Sequence, residues 1–127
     1  MSAARIIIAI GAVTALLGVG IGAMGAHALG PFLDARGESL FDLAARYHLL
    51  HALGVVATGL AARGGPTSRL LPAAAAALLA GVCLFSGSLY AMALGAPRWL
   101  GAVTPVGGLA FMAGWLLLAI GVLRGDA

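Results

Sequence analysis

Residues 39–62 read SLFDLAARYHLLHALGVVATGLAA. A predominantly apolar stretch of this length matches the roughly 20 residues of a helix that crosses a bilayer. It is also where the polar chemistry gathers, since Asp42, Arg46, Tyr47, His48 and His51 follow one another closely. Ionisable side chains at membrane depth are costly and turn toward other helices or water. The stretch therefore predicts a membrane helix that its neighbours enclose.

Working outward, the chain offers four apolar runs, at about residues 5–29, 40–62, 70–94 and 103–123, each of spanning length. Of its 127 residues, 62% are hydrophobic and 9% are charged, against about 25% charged in a soluble domain. No run alternates like a strand, and a lone helix satisfies its own backbone in lipid. The expected fold is all-α: one integral membrane domain over residues 1–127, a four-helix transmembrane bundle with antiparallel up-down topology. Arg5 and the apolar residues after it imitate a signal peptide, but that run exceeds the usual apolar length of about 7–15 residues. An uncleaved first helix is expected.

The net charge of +3 is carried by arginine alone. The arginines flank the apolar runs and read as interfacial anchors. No basic patch with interleaved aromatics points to nucleic acid. Cys83, the single cysteine, lies mid-run and reads as a small core residue.

Helix one is glycine-rich, and Gly18 and Gly22 form a GxxxG that Gly25 and Ala26 extend. Small residues at this spacing let helix backbones approach in lipid, which places helix one at the centre of packing. Gly30-Pro31 stops it. Residues 32–38 form a short charged connection, and Ser39 followed by Asp42 resembles a capping box that opens helix two near Leu40. Thr67 or Ser68 caps helix three, with Pro72 in its first turn. The run 73–77 offers a smooth alanine face, and Gly87, Ala91 and Gly95 form a second small-residue stripe. Thr104-Pro105 reads as an N-cap followed by proline, with Gly107 and Gly108 as further packing positions.

Arginine counting orients the chain. Arg5, Arg63, Arg69 and Arg124 share one side; Arg36 and Arg98 lie on the other, with Arg46 just inside it. The richer side is cytoplasmic by the positive-inside rule, which puts both termini inside. Alternating helices then bring His27, Arg46, Tyr47, His48, His51, Ser86, Ser88, Tyr90 and Thr104 into the outer half of the membrane. His51 lies about 16–18 Å along helix two, near mid-membrane. His27, Tyr47, His51, Ser86, Ser88 and Tyr90 are expected to face inward, near one another. Arg46 either joins this cluster or snorkels to the interface.

His27, His48 and His51 are the only metal candidates, because imidazole suits zinc, copper and iron. The reading preferred here is interhelical hydrogen bonding, since no thiolate or carboxylate shares their face and neutral histidine both donates and accepts. No metal or cofactor is expected.

Several motifs resemble one family. Residues 22–29 (GAMGAHAL) resemble a GAxGAHAL signature. Phe41, Tyr47, His51, Ala52 and Leu53 follow its next pattern, with the alanine register shared between Ala44 and Ala45. Residues 84–90 (LFSGSLY) and 104–108 (TPVGG), then Phe111 and Gly114-Trp115, complete it. The chain resembles the domain of unknown function 423 family, small multi-pass membrane proteins of the YgdD and YwdK type. The resemblance implies a four-helix protein of the bacterial inner membrane and brings no activity, cofactor or catalytic residue.

The function expected first is structural or accessory, packing in the lipid bilayer with itself as a homo-oligomer or with a larger membrane complex. The alternative is a binding module for a lipid headgroup, quinone or metal in the outer-half polar pocket. A small transporter ranks lower because no carboxylate lies deep in a run, and an enzyme lowest because no acidic group orients the histidines.

Overall fold

A computed structural model describes residues 1–64 and 68–125. The proposed cap at Thr67 and the tail at Asp126 lie outside the described residues. Four helical rods make up the fold, and the described residues contain no strand. The first is α1 (Ala3–Met24), which continues as a π-helical turn (Gly25–Leu29) and a 3-10 turn (Gly30–Phe32). The second is α2 (Ala35–Ala61). The third joins α3 (Leu70–Gly81), a second π turn (Val82–Ser86) and α4 (Gly87–Ala93). A 3-10 turn (Arg98–Ala102) leads into α5 (Thr104–Arg124).

Three local expectations change. The N-cap of α2 is Asp34, whose carboxylate accepts from the Gly37 N–H at 2.7 Å. The charged connection is therefore the first turn of α2, where Glu38 suits the positive end of the helix dipole. The expected Ser39–Asp42 box lies inside that helix. Thr104 is not a cap, because α5 begins without a side-chain cap bond and its hydroxyl is engaged elsewhere. Gly95 ends α4 rather than packing: its φ of +99° and the Ala96 N–H to Ala91 carbonyl bond make a left-handed helix stop.

The rods meet along glycine seams of period seven. On α1 and its π turn these are Gly11, Gly18 and Gly25; on α5 they are Gly107, Gly114 and Gly121. A Cβ at Gly11 would lie 2.8 Å from the Val56 nitrogen, and one at Gly18 would lie 2.8 Å from Leu49 Cδ2. At Gly25 it would enter the Phe41 ring, and at Gly107 the backbone of Phe85. A seven-residue period keeps a stripe facing its partner along a left-handed crossing. Gly11 and Gly25 thus join Gly18 on the seam, in place of the expected Gly18–Gly22 pair. A Cβ at Gly22 would only touch Ala45 at 3.9 Å, and Ala26 is exposed. Gly108 likewise makes only ordinary contact with Phe85, and a Cβ at Gly87 would meet nothing within 4 Å.

Paired positions run in opposite senses: Gly59 with Ile8, Gly18 with Leu49 and Gly25 with Phe41 between the first two rods. Gly37 meets Ala93 and Gly54 meets Leu78, while Gly114 meets Leu78 and Gly121 meets Leu71. The central rod is α2, not α1, since α2 packs against all the others. The main core is Ile7, Val55, Ala75, Leu78, Val82 and Phe111, drawn from all four rods.

By length and composition three rods can cross a membrane: residues Ala3–Phe32, Leu70–Ala93 and Arg98–Arg124. The expectation that every rod meets that standard fails for α2, because Asp42, Arg46, His48 and His51 dilute its apolar character. Leu16, Leu109, Met112 and Leu123 are openly exposed, as lipid-facing side chains are.

Candidate functional site

The polar residues of α2 divide into two environments. His48, buried, joins three rods. Its Nε2 lies 2.8 Å from the Thr14 carbonyl of α1, and its Nδ1 lies 3.0 Å from the Tyr90 hydroxyl of α4. A carbonyl can only accept, so Nε2 carries the proton of the neutral ring, and Nδ1 accepts from the Tyr90 O–H. Both nitrogens are occupied, which suits a connector rather than a ligand site.

The hydroxyls behave alike. Ser86, fully buried, donates to the Ala44 carbonyl at 2.8 Å. Ser88 lies 3.0 Å from the Phe85 carbonyl and shares a 2.6 Å hydrogen bond with the Thr104 hydroxyl. Thr58 and Thr14 bond the carbonyls four residues back, at Gly54 and Ile10, as hydroxyls inside helices do. Among the described residues no buried polar side-chain atom lacks a partner.

His51 is different. It is buried beside Tyr47, with Nδ1 2.7 Å from the Tyr47 carbonyl one turn back. Its ring stacks on Phe111 of α5, centroids 3.5 Å apart at 11°. Tyr47 continues the stack toward Phe85 at 4.6 Å, and Trp115 closes it at 5.9 Å from His51. Gly54 admits the Trp115 ring, since a Cβ there would lie 3.0 Å from it. The result is a largely apolar groove of about 550 Å³ between α2, Phe85 and α5.

The expected single cluster is therefore three separate arrangements: the His48–Tyr90 connection, the Ser86 and Ser88–Thr104 bonds, and the Tyr47–His51 groove. His27 joins none of them. It is exposed on the first π turn, because the seam residue Gly25 turns inward and the positions just after it turn outward. Arg46 is exposed and borders a shallow depression with Ser39 and Asp42. The three histidines do not converge, and among the described residues no three His, Cys, Asp or Glu side chains gather to hold a metal ion.

Sequence reading missed the aromatic wall of Phe85, Phe111 and Trp115. The one available signal was Phe111 and Trp115, four apart on one helix face. It also missed the π turns, of which Gly25–Leu29 lies within the GAMGAHAL motif and Val82–Ser86 overlaps the start of LFSGSLY. The second turn matters here because it carries Phe85 to the Tyr47 ring and brings its backbone against Gly107.

A family model described as "Protein of unknown function (DUF423)" matches residues 21–108, which include both π turns, His48, His51 and the Ser88–Thr104 bond. The chain belongs to the DUF423 family. DUF423 relatives include the UPF0382 membrane protein SSP2132 of Staphylococcus saprophyticus, 41% identical over 94% of this chain and 98% of that protein. The UPF0382 membrane protein YwdK of Bacillus subtilis is 34% identical over 94% and 98%. The UPF0382 inner membrane protein YgdD of Escherichia coli is 33% identical over 94% and 91%. No solved structure matches. The chain is thus a multi-pass membrane protein of an uncharacterised family.

Proposed function

We propose that this protein is a four-span, antiparallel up-down bundle of the bacterial inner membrane with both termini cytoplasmic. We further propose that it serves as a non-catalytic accessory protein, packing against a second copy of itself or a larger membrane complex. The carrying observation is an uncovered stripe on the third rod. Ala73, Ala76, Ala80 and Cys83 are exposed there, and Gly87 leaves open space beside them. Spacings of three and four place these residues on one face. In lipid, such faces let a second helix approach closely. Within residues 73–77, Ala74 and Ala75 are buried in the bundle, and Ala73 and Ala76 are the part of that run left open to a partner.

A fourth span is supported by the 27-residue length of α2, about 40 Å at 1.5 Å per residue, and by burial of His48 and His51 away from lipid. The orientation rests on the arginine bias. A non-catalytic role is supported by Ser86 and Ser88, whose hydroxyls bond to carbonyls or to Thr104 rather than to a histidine.

Oxidative cross-linking of Cys83 in native membranes tests the reading, with a disulfide-linked dimer expected. Ala80→Leu should abolish the cross-link while leaving the melting temperature unchanged. A strictly monomeric chain that co-purifies with no partner would sink the proposal. Cysteines placed at Ser2 and Gly125 in a Cys83→Ala background should react with an impermeant maleimide from the cytoplasmic side. Labelling of the two ends from opposite sides would remove the even span count.

A further inference from the structure

The groove between α2 and α5 contains a polar atom that the fold does not use. His51 is 3% exposed, and its Nδ1 faces the Tyr47 carbonyl. That carbonyl only accepts, so Nδ1 holds the proton and Nε2 of the neutral ring is an acceptor. Among the described residues Nε2 has no hydrogen-bond partner, yet no polar side-chain atom is sealed without one. Nε2 therefore opens onto the groove that His51 lines.

The mouth of the groove is formed by Leu109 and Met112, both exposed on a rod apolar enough to cross a membrane. An occupant would enter sideways from lipid. The floor is a stack of flat rings, His51 on Phe111 with Tyr47 alongside at 5.6 Å. The Tyr47 hydroxyl, also without a hydrogen-bond partner among the described residues, is on the side chain lining the same groove.

We propose that this groove binds a membrane-soluble amphiphile whose ring headgroup carries a hydroxyl, of the quinol class. The hydroxyl donates to His51 Nε2, the ring extends the aromatic stack, and the apolar tail lies along Leu109 and Met112. A phosphate headgroup finds no cation in this lining, since Arg46 borders a different depression. A bare acyl chain would leave the acceptor unmet in an apolar setting, which is unfavourable. An oxidised quinone offers no donor to Nε2. This inference is independent of the α3 face: loss of Cys83 cross-linking would leave it intact, and failure to bind a quinol would leave the accessory reading intact.

The test uses the protein in nanodiscs, with Trp99→Phe so that Trp115 is the single tryptophan, excited selectively at its red edge. A decyl-substituted benzoquinol under reducing conditions is the probe. Saturable quenching of Trp115 is expected, with the matched benzoquinone binding about tenfold more weakly, the worth of one hydrogen bond. His51→Phe keeps the stack and removes the acceptor, so it should lower quinol affinity by about the same factor and erase the preference for quinol over quinone. Should His51→Phe fail to fold, Met112→Trp, which fills the mouth from an exposed position, should abolish saturable binding read by equilibrium dialysis. Non-saturable quenching matched by decanol would mean simple partitioning and would overturn the proposal. So would equal affinities for quinol and quinone in the parent protein.

Discussion

The first two rods invert the rule of soluble proteins. The first carries the highest mean hydropathy of the three rods apolar enough to cross a membrane, 2.4, yet few of its residues are buried. The second falls short of the apolar standard, yet α2 buries ten residues against five on the first rod, His48 and His51 among them. Lipid solvates leucine as well as a protein core does, so no hydrophobic force draws α1 inward. Polar groups have no water at that depth, and each unmet one costs several kcal/mol. The open face of α1 is accordingly apolar, and the polar side chains His48, His51 and Thr58 of α2 are buried against protein. Between the two rods the contact rests on close fit along the glycine seam.

The strongest way to break this comparison is to fill the seam from the α2 side. A Cβ at Gly59 would lie 2.9 Å from the Ile8 nitrogen and 3.1 Å from the Ala4 carbonyl oxygen. Backbone cannot yield as a side chain can, so Gly59→Leu should cost about 3 kcal/mol or more. Thermal denaturation in mild detergent should show little or no folded protein. Gly20→Leu on the open face of α1 should melt like the parent. Equal melting of both variants would show that the seam does not hold the two rods together.

A medium effect sharpens the polar half of the comparison. His48→Leu removes a connector of three rods and strands the Tyr90 hydroxyl, a loss of about 1–3 kcal/mol. Tyr90→Phe removes only one bond, about 0.6 kcal/mol by the average for membrane helices. His27→Ala should change nothing, because that ring is exposed. A His27→Ala variant that melts as low as His48→Leu would return His27 to the buried set and undo the division drawn here.

These contrasts also show what the sequence could disclose. Length, hydropathy and arginine placement were enough for an all-helical membrane chain, because each is a sum over many residues. That His48 and Tyr90 meet at one level of the bundle agrees with counting rise per residue, another sum. Facing was harder. His27 and His51 are both histidines in apolar runs, and one points out while the other is buried. The difference depends on a π turn at residues 25–29, and no composition signal announces such a turn. The helix start at Asp34 was hidden by a competing cap pattern at Ser39. The groove was hidden because its walls are ordinary aromatics on separate rods, and only the fold stacks Phe111 on His51.

The smallest expected effect separates two readings of the same glycines. A GxxxG seam would use Gly18 and Gly22 together, whereas the observed seam uses Gly11, Gly18 and Gly25. A Cβ at Gly20 would meet nothing within 4 Å, one at Gly22 would touch Ala45 at 3.9 Å, and one at Gly18 would press Leu49 Cδ2 at 2.8 Å. Alanine favours helix over glycine by up to about 1 kcal/mol in water, and replacing glycine also narrows the unfolded ensemble. Gly20→Ala should therefore raise stability slightly, and Gly22→Ala should leave it unchanged or slightly higher. Gly18→Ala should lower it by about 1 kcal/mol, because the Leu49 side chain must shift within a packed seam. The informative result is the order of the three melting temperatures in one detergent. If Gly22→Ala fell with Gly18→Ala below the parent, the seam would be the four-residue one, and α1 would sit on α2 through a different face.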